Sequence, residues 1–344
     1  MAAPREGGGT MSRETVLELL RGGAGDFLSG EELSRRLGLS RAAIWKAVDA
    51  LRREGYVIEA RTGLGYRLAA VPDAMSEAEI RSFLGRTAVV GRELRCFDTL
   101  DSTNIRAKQL AQEGAPDGTV VTADLQTAGR GRMDRSFQSP RGKGVYLTAL
   151  LRPNLPPERL LPVTAMAGVA VCDAVEELCG VRPGLKWPND PVLGGKKLCG
   201  ILTELSLEGE TGRVQHLVLG IGVNVGQRAE DFSPEVAEMA TSLSMALGRS
   251  VSRPALAAAE IRALDRLYAR LLAGDLTADL EAYRRSCVNL GKTVQLISPD
   301  GARETARALD IDRDFSLVVR SGTGETKTVR SGEVSVRGMY GYTE

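Results

Sequence analysis

The feature that most constrains this chain is a short loop that carries glycines and arginines between two apolar, strand-like runs. The loop reads Gln126-Thr127-Ala128-Gly129-Arg130-Gly131-Arg132, and the runs cover residues 119–125 and 145–151. Glycines let the backbone approach a ligand and adopt positive φ, and guanidinium groups suit carboxylate or phosphate oxygens. The sequence therefore predicts an anion-binding loop between two strands of a sheet.

Length and composition bound the class of protein. A chain of 344 residues exceeds what one hydrophobic core usually serves, so we expect several domains. The net charge of +1 argues against a protein that coats polyanions along its whole surface. The sequence contains neither a run apolar enough to span a bilayer nor the hydrophobic segment of a signal peptide, so we expect a cytoplasmic protein. The five cysteines are scattered and there is one histidine, so we expect no zinc site.

The N-terminal part has the pattern of two helices joined by a tight turn. Residues 1–11 are rich in Ala and Gly and are predicted to be disordered. Ser29 and Glu32 fit a capping box that opens a short helix, and Ser40 caps a second helix that ends near residue 53. Gly38 lies between them, and this arrangement is typical of a helix-turn-helix.

Two short predicted strands, 56–60 and 65–68, follow the second helix and give the layout of a winged helix. From Arg35 to Arg67 there are eight Arg or Lys against three Asp or Glu, an excess of five positive charges in a nearly neutral protein. This excess favours contact with DNA phosphates. The alternative is a protein-contact module whose charged face is simply solvated. The DNA-binding candidates are Arg41, Lys46, Arg52 and Arg61.

Further along the chain, polar residues stand at the start of a predicted helix. A strand at 94–97 leads into Asp101-Ser102-Thr103-Asn104, and the helix covers 105–113. Hydroxyl groups and free amides at a helix start can serve a polar ligand. On these residues alone, a simple helix cap is the more common explanation.

A lysine at a strand end and a glycine pair complete the candidate site. Lys186 precedes Trp187-Pro188, a rigid turn that aims the lysine and suits it to an acyl phosphate. The alternative is a solvent-facing lysine. A strand over 214–221 breaks into Gly220-Ile221-Gly222-Val223-Asn224, where glycines again permit close backbone approach.

Together these motifs resemble the biotin protein ligases. The shared motifs are Asp101–Asn104, Gln126–Arg132, Lys186-Trp-Pro-Asn-Asp190, Lys197-Leu-Cys-Gly-Ile-Leu202 and Gly220-x-Gly-x-Asn224. The resemblance covers residues 11 to 344, and the preceding winged helix is similar to that of the bifunctional ligases that also repress the biotin operon.

The resemblance implies an α+β multidomain fold. Its parts are a winged helix-turn-helix, a central mixed β-sheet with helices on one side, as in class II aminoacyl-tRNA synthetases, and a C-terminal SH3-like β-barrel. Independently, short strand patterns near the C-terminus at 294–296, 306–309, 316–319 and 333–336 agree with a small β domain. The predicted boundaries are 1–11 (disordered), 12–70 (winged helix), 71–78 (linker), 79–287 (ligase) and 288–344 (SH3-like).

The resemblance also implies the chemistry. Biotin attacks the α-phosphate of ATP to give biotinyl-adenylate and pyrophosphate, and a lysine of a biotin carboxyl carrier protein, a subunit of acetyl-CoA carboxylase, then displaces AMP. Magnesium is expected with ATP, and its ligands are unassigned. Asp190 is a weak candidate that fits better as a stabiliser of its own turn.

Site residues are carried over from the family motifs. Those expected to bind biotin are Ser102, Thr103, Asn104, Gln126, Arg130, Gly131, Arg132 and Lys186. Those expected to bind the nucleotide are Gly129, Arg132, Arg135, Gly222 and Asn224. Those expected to act in catalysis are Lys186, Arg130 and Arg132. By the resemblance, Lys186 neutralises charge on the reacting oxygens, and the two arginines wrap the biotin carboxylate and the adenylate phosphate.

Two residues depart from the family pattern after the arginine loop. Asp134 stands where a glycine is common, and Phe137 replaces a common tryptophan. Asp134 places a negative charge beside the arginines, so we expect adenylate to leak from the site more readily. An Asp134→Gly variant that releases free adenylate at the same rate as the protein with Asp134 would contradict this.

The resemblance further implies partners and leaves alternatives. Expected partners are the carrier protein, operator DNA and, in the adenylate-bound state, a second copy of the chain; no membrane is expected. One alternative is a related ligase, such as one for lipoate. Another is a DNA-binding regulator that only senses biotinyl-adenylate.

Overall fold

The computed structural model describes residues 8–23, 25–131, 135–298, 300–330, 335–338 and 342–343. The chain forms two compact units, Met1–Asp73 and Ala74–Glu344. Among the described residues, no helix combines the length and apolar character needed to cross a membrane.

The first unit is a winged helix-turn-helix, as predicted. Its elements are α1 (Gly8–Gly22), α2 (Gly30–Leu37), α3 (Arg41–Arg53), β1 (Val57–Arg61) and β2 (Gly65–Ala70). The hydroxyls of Ser29 and Ser40 accept hydrogen bonds from the backbone of Glu32 and Ala43 at 3.0 and 3.2 Å, which caps both helices. Gly38 has φ +65°, a left-handed conformation that ends α2. α1 begins at Gly8, so residues 8–11 are helical rather than disordered.

The second unit is built on a five-stranded mixed sheet with the order β3-β4-β5-β10-β9. The β3–β4 pair is parallel and the other neighbours are antiparallel. The elements up to the last strand of this sheet are α4 (Glu77–Leu84), β3 (Leu94–Leu100), α5 (Thr103–Gln112), β4 (Thr119–Gln126), β5 (Gly144–Leu151), α6 (Val163–Cys179), β6 (Gly184–Lys186), β7 (Asp190–Leu193), β8 (Lys196–Lys197), β9 (Cys199–Leu207) and β10 (Val214–Asn224).

Helices cover both faces of this sheet. Alternate residues of a strand point to opposite faces; Val120 packs in the core that contains α6 and α9 (Arg253–Ala273), whereas Val121 packs against α5. The prediction of helices on one side is therefore incomplete, because α5 lies on the opposite face. The remaining helices are α7 (Pro234–Ala237), α8 (Leu243–Leu247) and α10 (Thr277–Ser286).

The C-terminal part is an antiparallel sheet with the order β14-β13-β12-β11-β15. Its strands are β11 (Thr293–Ile297), β12 (Arg303–Ile311), β13 (Leu317–Ser321), β14 (Thr326–Val329) and β15 (Ser335–Gly338). Four of them match the predicted strands, although residues 333 and 334 lie outside the described residues. Buried residues of this sheet, such as Val294 and Leu317, belong to the same hydrophobic cluster as the ligase sheet.

Candidate active site

One cavity of about 380 Å³ collects most of the predicted site residues. Its wall is formed by the start of α5, the arginine loop, the end of β6, and strands β9 and β10. The predicted residues that line it are Ser102, Thr103, Asn104, Gln126, Arg130, Gly131, Arg135, Lys186, Gly222 and Asn224. Arg132 and Asp134 lie outside the described residues, so neither their positions nor the leakage prediction is tested.

The start of α5 is capped by a side chain from a neighbouring strand. Ser102 occupies the N-cap position, yet its hydroxyl makes no capping hydrogen bond. Instead, Oε1 of Gln126 accepts hydrogen bonds from the backbone N–H and the hydroxyl of Thr103 at 2.9 and 3.0 Å. The interpretation of Ser102 as a simple helix cap is therefore wrong, because Gln126 satisfies the helix start.

Asn104 is the centre of a buried polar network. The hydroxyl of Thr148 lies 2.7 Å from Asn104 Oδ1 and 2.8 Å from the hydroxyl of Thr103. Asn104 Nδ2 donates to Glu204 Oε2 at 2.9 Å. The cavity therefore has one polar wall whose groups are already oriented by each other.

Glu204 joins that network to the arginine loop. Its Oε1 is 2.5 Å from Lys108 Nζ and 3.4 Å from Arg130 Nη1. Burial acts to raise the pKa of Glu204, but hydrogen bonds from Lys108 and Asn104 and the nearby positive charges outweigh it and hold the pKa below its usual range. Sequence reasoning missed Glu204 because its partners come from residues about 75 to 100 positions away.

Residues 129–131 of the arginine loop pair with residues 135–137 as the two arms of a narrow hairpin. Phe137 N–H donates to Gly129 O at 2.8 Å, and Gly131 N–H donates to Arg135 O at 2.7 Å. Neither glycine adopts the predicted positive φ. A Cβ on Gly129 would lie 2.3 Å from Phe137 O, so this glycine is required by the returning strand of the hairpin. Gly129 itself is buried and does not line the cavity.

The two glycines of β10 leave space that side chains of neighbouring elements occupy. A Cβ on Gly220 would lie 2.0 Å from Asn104 Oδ1, and one on Gly222 would lie 2.5 Å from the ring of Phe137. Phe137 also lies edge-to-face with Tyr146, with ring centroids 6.4 Å apart. The predicted break of the strand at Gly220 is wrong, because β10 continues to Asn224.

Lys186 is buried, with 5% of its surface exposed, so the interpretation as a solvent-facing lysine is wrong. It is followed by Trp187, whose backbone N–H donates to Asn289 Oδ1 at 2.7 Å and whose indole N–H donates to Phe315 O at 3.0 Å. Both acceptors lie in the C-terminal part. The turn after Lys186 is therefore fixed by the C-terminal sheet as well as by its own Trp-Pro sequence.

Asp190 is engaged by protein cations. Its Oδ1 accepts from Lys197 Nζ at 2.6 Å, and its Oδ2 accepts from the hydroxyl of Tyr342. Burial acts to raise the pKa of Asp190, but the charges of Lys197 and Lys186 and these hydrogen bonds lower it overall. Within the described residues, no three His, Cys, Asp or Glu side chains are grouped so as to hold a metal ion.

Asn224, a nucleotide candidate, is held by its own scaffold. Its Nδ2 donates to Thr241 O and its Oδ1 accepts from Gln227 Nε2, both at 3.0 Å. Arg135 is exposed at the cavity mouth. Contact of either residue with a nucleotide stays a prediction.

The predicted DNA-binding residues have different surroundings in the winged helix. Lys46 and Arg41 are exposed on α3, and Arg41 forms an ion pair with Glu31 at 3.3 Å. Arg52 donates to Ile58 O at 3.0 and 2.5 Å and so joins α3 to β1. Arg61, on β1, lies over the ring of Phe27, 5.1 Å from its centroid.

Trp45 was missed by the sequence analysis. It is 56% exposed on α3, next to Lys46, although tryptophan usually packs inside a protein. The signal available was its place in the helical pattern, since Ile44 and Val48 define the buried face and Trp45 falls outside it.

Three family patterns match the chain in order. They are an HTH domain at residues 12–67, the Biotin/lipoate A/B protein ligase family at 96–224, and the Biotin protein ligase C terminal domain at 290–337. The predicted three-part organisation and SH3-like C-terminal domain agree with these matches, and the individual domain boundaries stay predictions.

Similar proteins support the same assignment. The bifunctional ligase/repressor BirA of Bacillus subtilis is 38% identical over 315 residues, which cover 92% of this chain and 96% of that protein. The biotin–[acetyl-CoA-carboxylase] ligase of Mycobacterium tuberculosis is 33% identical over 76% of this chain and 95% of its own length. A structure of biotin protein ligase from Aquifex aeolicus in complex with biotin and ATP superposes with a TM-score of 0.61 and 28% identity, covering 72% of this chain and 99% of that one. The chain therefore belongs to the bifunctional biotin ligase/repressor family, as a biotin protein ligase with an N-terminal helix-turn-helix repressor domain.

Proposed function

We propose that the cavity of the second unit carries out both steps of biotin transfer. In the first step a carboxylate oxygen of biotin bonds to the α-phosphorus of ATP, and the bond to pyrophosphate breaks. In the second, the amine of a carrier lysine bonds to the acyl carbon of the adenylate, and AMP leaves with the bonding electrons while the amine loses a proton. The observation that carries the proposal is one cavity in which Lys186 and Arg130 meet a preformed hydroxyl and amide network.

The polar wall is suited to the ureido end of biotin. Thr103, Asn104 and Gln126 present hydroxyl and amide groups in positions fixed by hydrogen bonds, so little ordering of these groups is required on binding. Ser102 adds a further hydroxyl to the same wall. A urea group both donates and accepts hydrogen bonds, and such a wall can satisfy both.

The cations are suited to the other end of biotin and to the phosphate. Arg130, Gly131 and Arg132 would surround the carboxylate and the adenylate phosphate, and Lys186 would neutralise charge on the reacting oxygens. Lys186 is held in a buried wall, where a cation stabilises developing negative charge more strongly than it would in water. Arg135, Gly222 and Asn224 are the proposed nucleotide neighbours. Gly129, which does not line the cavity, would act only by shaping the loop.

Magnesium would supply charge neutralisation on the polyphosphate. The described residues offer no cage of protein ligands, and Asp190, a carboxylate that lines the cavity, already pairs with Lys197. A magnesium ion that keeps most of its waters and arrives with ATP fits this donor set. We assign it no protein ligand.

Covalent labelling tests the proposal directly. The chain is incubated with ATP, labelled biotin and a biotin-carrier domain, and label is sought on the carrier after denaturation. Controls omit ATP or replace the acceptor lysine of the carrier by arginine, and both should abolish labelling. Adenylate formation without carrier labelling would instead identify a regulator that only senses the adenylate.

A lipoate-type ligase is the second enzymatic candidate, because the matched ligase family includes both classes. Thermal unfolding with ATP and each acid in turn separates them. We expect stabilisation by biotin and none by lipoate at the same concentration, and the reverse would assign the chain to lipoate.

We further propose that the winged helix binds operator DNA of biotin-synthesis genes as a homodimer when adenylate is bound. Lys46, Arg41, Arg61 and Arg52 would contact phosphates, and Trp45 would make an apolar contact with base edges. Sedimentation with and without adenylate tests dimer formation, and electrophoretic mobility shift of the chain's own biotin-gene promoter tests repression. DNA binding that ignores adenylate would contradict the proposed regulation.

A further inference from the structure

The C-terminal segment returns to the ligase cavity. Val336 of β15 and Tyr342, which comes after β15 in the sequence, both line it. Thr343 anchors the segment, because its hydroxyl donates to Gly195 O and its carbonyl accepts from Lys292 Nζ, both at 3.3 Å. Thr343 is 6% exposed. Tyr342 is therefore held at the cavity wall from its C-terminal side.

Tyr342 contacts two groups of the site at once. Lys186 Nζ lies 4.0 Å from the centroid of its ring, within the range of a cation–π interaction. Its hydroxyl donates to Asp190 Oδ2, while Lys197 occupies Oδ1 of the same carboxylate. The hydroxyl contact ties the far end of the ring to the cavity wall beside Lys186.

An aromatic ring can hold a cation without cancelling its charge. The lysine side chain has four rotatable bonds, and a loosely held ammonium group stabilises a transition state poorly because it must reorganise. The face of Tyr342 restrains the ammonium group and carries no net charge.

We propose that Tyr342 is a positioning residue for Lys186, so that the C-terminal segment completes the adenylation site. This inference deepens the proposed ligase function and rests on it. Tyr342 does not need to touch substrate. It keeps the ammonium group at the place where the carboxylate and the α-phosphate meet.

The contact itself can be measured without activity. In full-length protein labelled with ¹³C-lysine, the Lys186 resonance is identified by its absence in Lys186→Arg. We expect its ε-protons to be shifted upfield by the Tyr342 ring current in wild type and in Tyr342→Phe, which keeps the ring. The shift should disappear in Tyr342→Leu. Absence of the shift from the wild-type protein would overturn the inference even if the enzyme is active.

The effect on chemistry is measured by single-turnover adenylate formation. We expect Tyr342→Leu to lower the rate by about 10-fold at saturating substrates, in keeping with the strength of cation–π contacts, and to leave the KM for biotin unchanged. Tyr342→Phe should retain most of the rate. In a Lys186→Ala background, Tyr342→Leu should cause no further loss, because it acts through the lysine.

Several outcomes contradict the inference or its premise. Equal losses in Tyr342→Phe and Tyr342→Leu would assign the effect to the hydroxyl and overturn the role of the ring. A further loss in the Lys186→Ala background would show that Tyr342 acts elsewhere. A shifted Lys186 resonance in a wild-type protein that forms no adenylate would refute the proposed ligase function and leave the positioning contact standing.

Discussion

Helix α3 of the winged helix and the ligase cavity place their candidate functional side chains in opposite ways. On α3 the candidates Trp45 and Lys46 project from a helix whose opposite face forms the core of the unit. In the cavity, Asn104 and Lys186 are 4% and 5% exposed and contact other site residues. The surface of the winged helix can therefore change without altering its fold, whereas in the ligase unit the site and the scaffold share the same atoms.

The largest effect is expected for Lys186, the cation in the buried wall of the cavity. Lys186→Ala should slow adenylate formation by about 10²- to 10³-fold, because a positioned charge is lost from a buried wall. Stopped-flow detection of pyrophosphate release measures the rate. Lys196→Ala, a half-buried lysine on β8, is the matched control and should stay near wild type. A normal rate in Lys186→Ala would remove the lysine from the mechanism.

Because the same side chains stabilise the ligase unit and line its site, one added methyl group should lower both the stability and the biotin affinity. In Gly220→Ala the new Cβ would lie 2.0 Å from Asn104 Oδ1 and would clash with it. We expect a loss of about 1–3 kcal/mol in the free energy of unfolding and a weaker biotin affinity. Denaturant unfolding and biotin titration measure both.

Gly209→Ala is the control for that experiment, since a Cβ there would meet nothing within 4 Å. It should change neither quantity. If Gly220→Ala weakened biotin binding and left stability intact, the site and the scaffold would be separable after all.

The winged helix should show the opposite behaviour. Lys46→Ala should weaken operator binding several-fold and reduce the slope of log affinity against log salt by about 1, because one phosphate contact is lost. Its melting temperature and carrier labelling should not change. Fluorescence anisotropy of labelled operator at several salt concentrations measures the slope, with the ligase-unit variant Arg95→Ala as control. An unchanged slope would place Lys46 outside the DNA interface.

The smallest effect concerns pH and the Glu204 carboxylate. Because the folded pKa of Glu204 is below its ordinary value of 4.5, its ionised form stabilises the fold above that value, and this contribution is lost as pH falls through the folded pKa. Glu204→Gln should therefore be less stable than wild type at pH 7, and the difference should shrink towards pH 4. Urea unfolding at both pH values measures it. A difference that grows on acidification would contradict the network described for Glu204.

The sequence predicted local features well, because their causes are local. Ser29 and Ser40 were identified as helix caps, and the strands on both sides of the arginine loop were correctly placed. It failed where the cause was a distant contact. Gln126 caps a helix that starts 23 residues earlier, and Gly220 is required by the close approach of Asn104.

The same limit explains the residues that the family motifs did not supply. Glu204 and Tyr342 become visible only when β9 and the C-terminal segment are brought against the site. Neither lies in a motif with a local chemical signature. Within the described residues, most of the motif residues line one cavity, while the side chains that hold them in place had to be found in the structure.

The two glycines of β10 have a consequence for how this protein can change over evolutionary time. Gly220 and Gly222 point to one face of the sheet, and the space above them is filled by Asn104 and Phe137. A larger residue at either glycine requires a smaller partner, so positions 104 and 220, and positions 137 and 222, should covary.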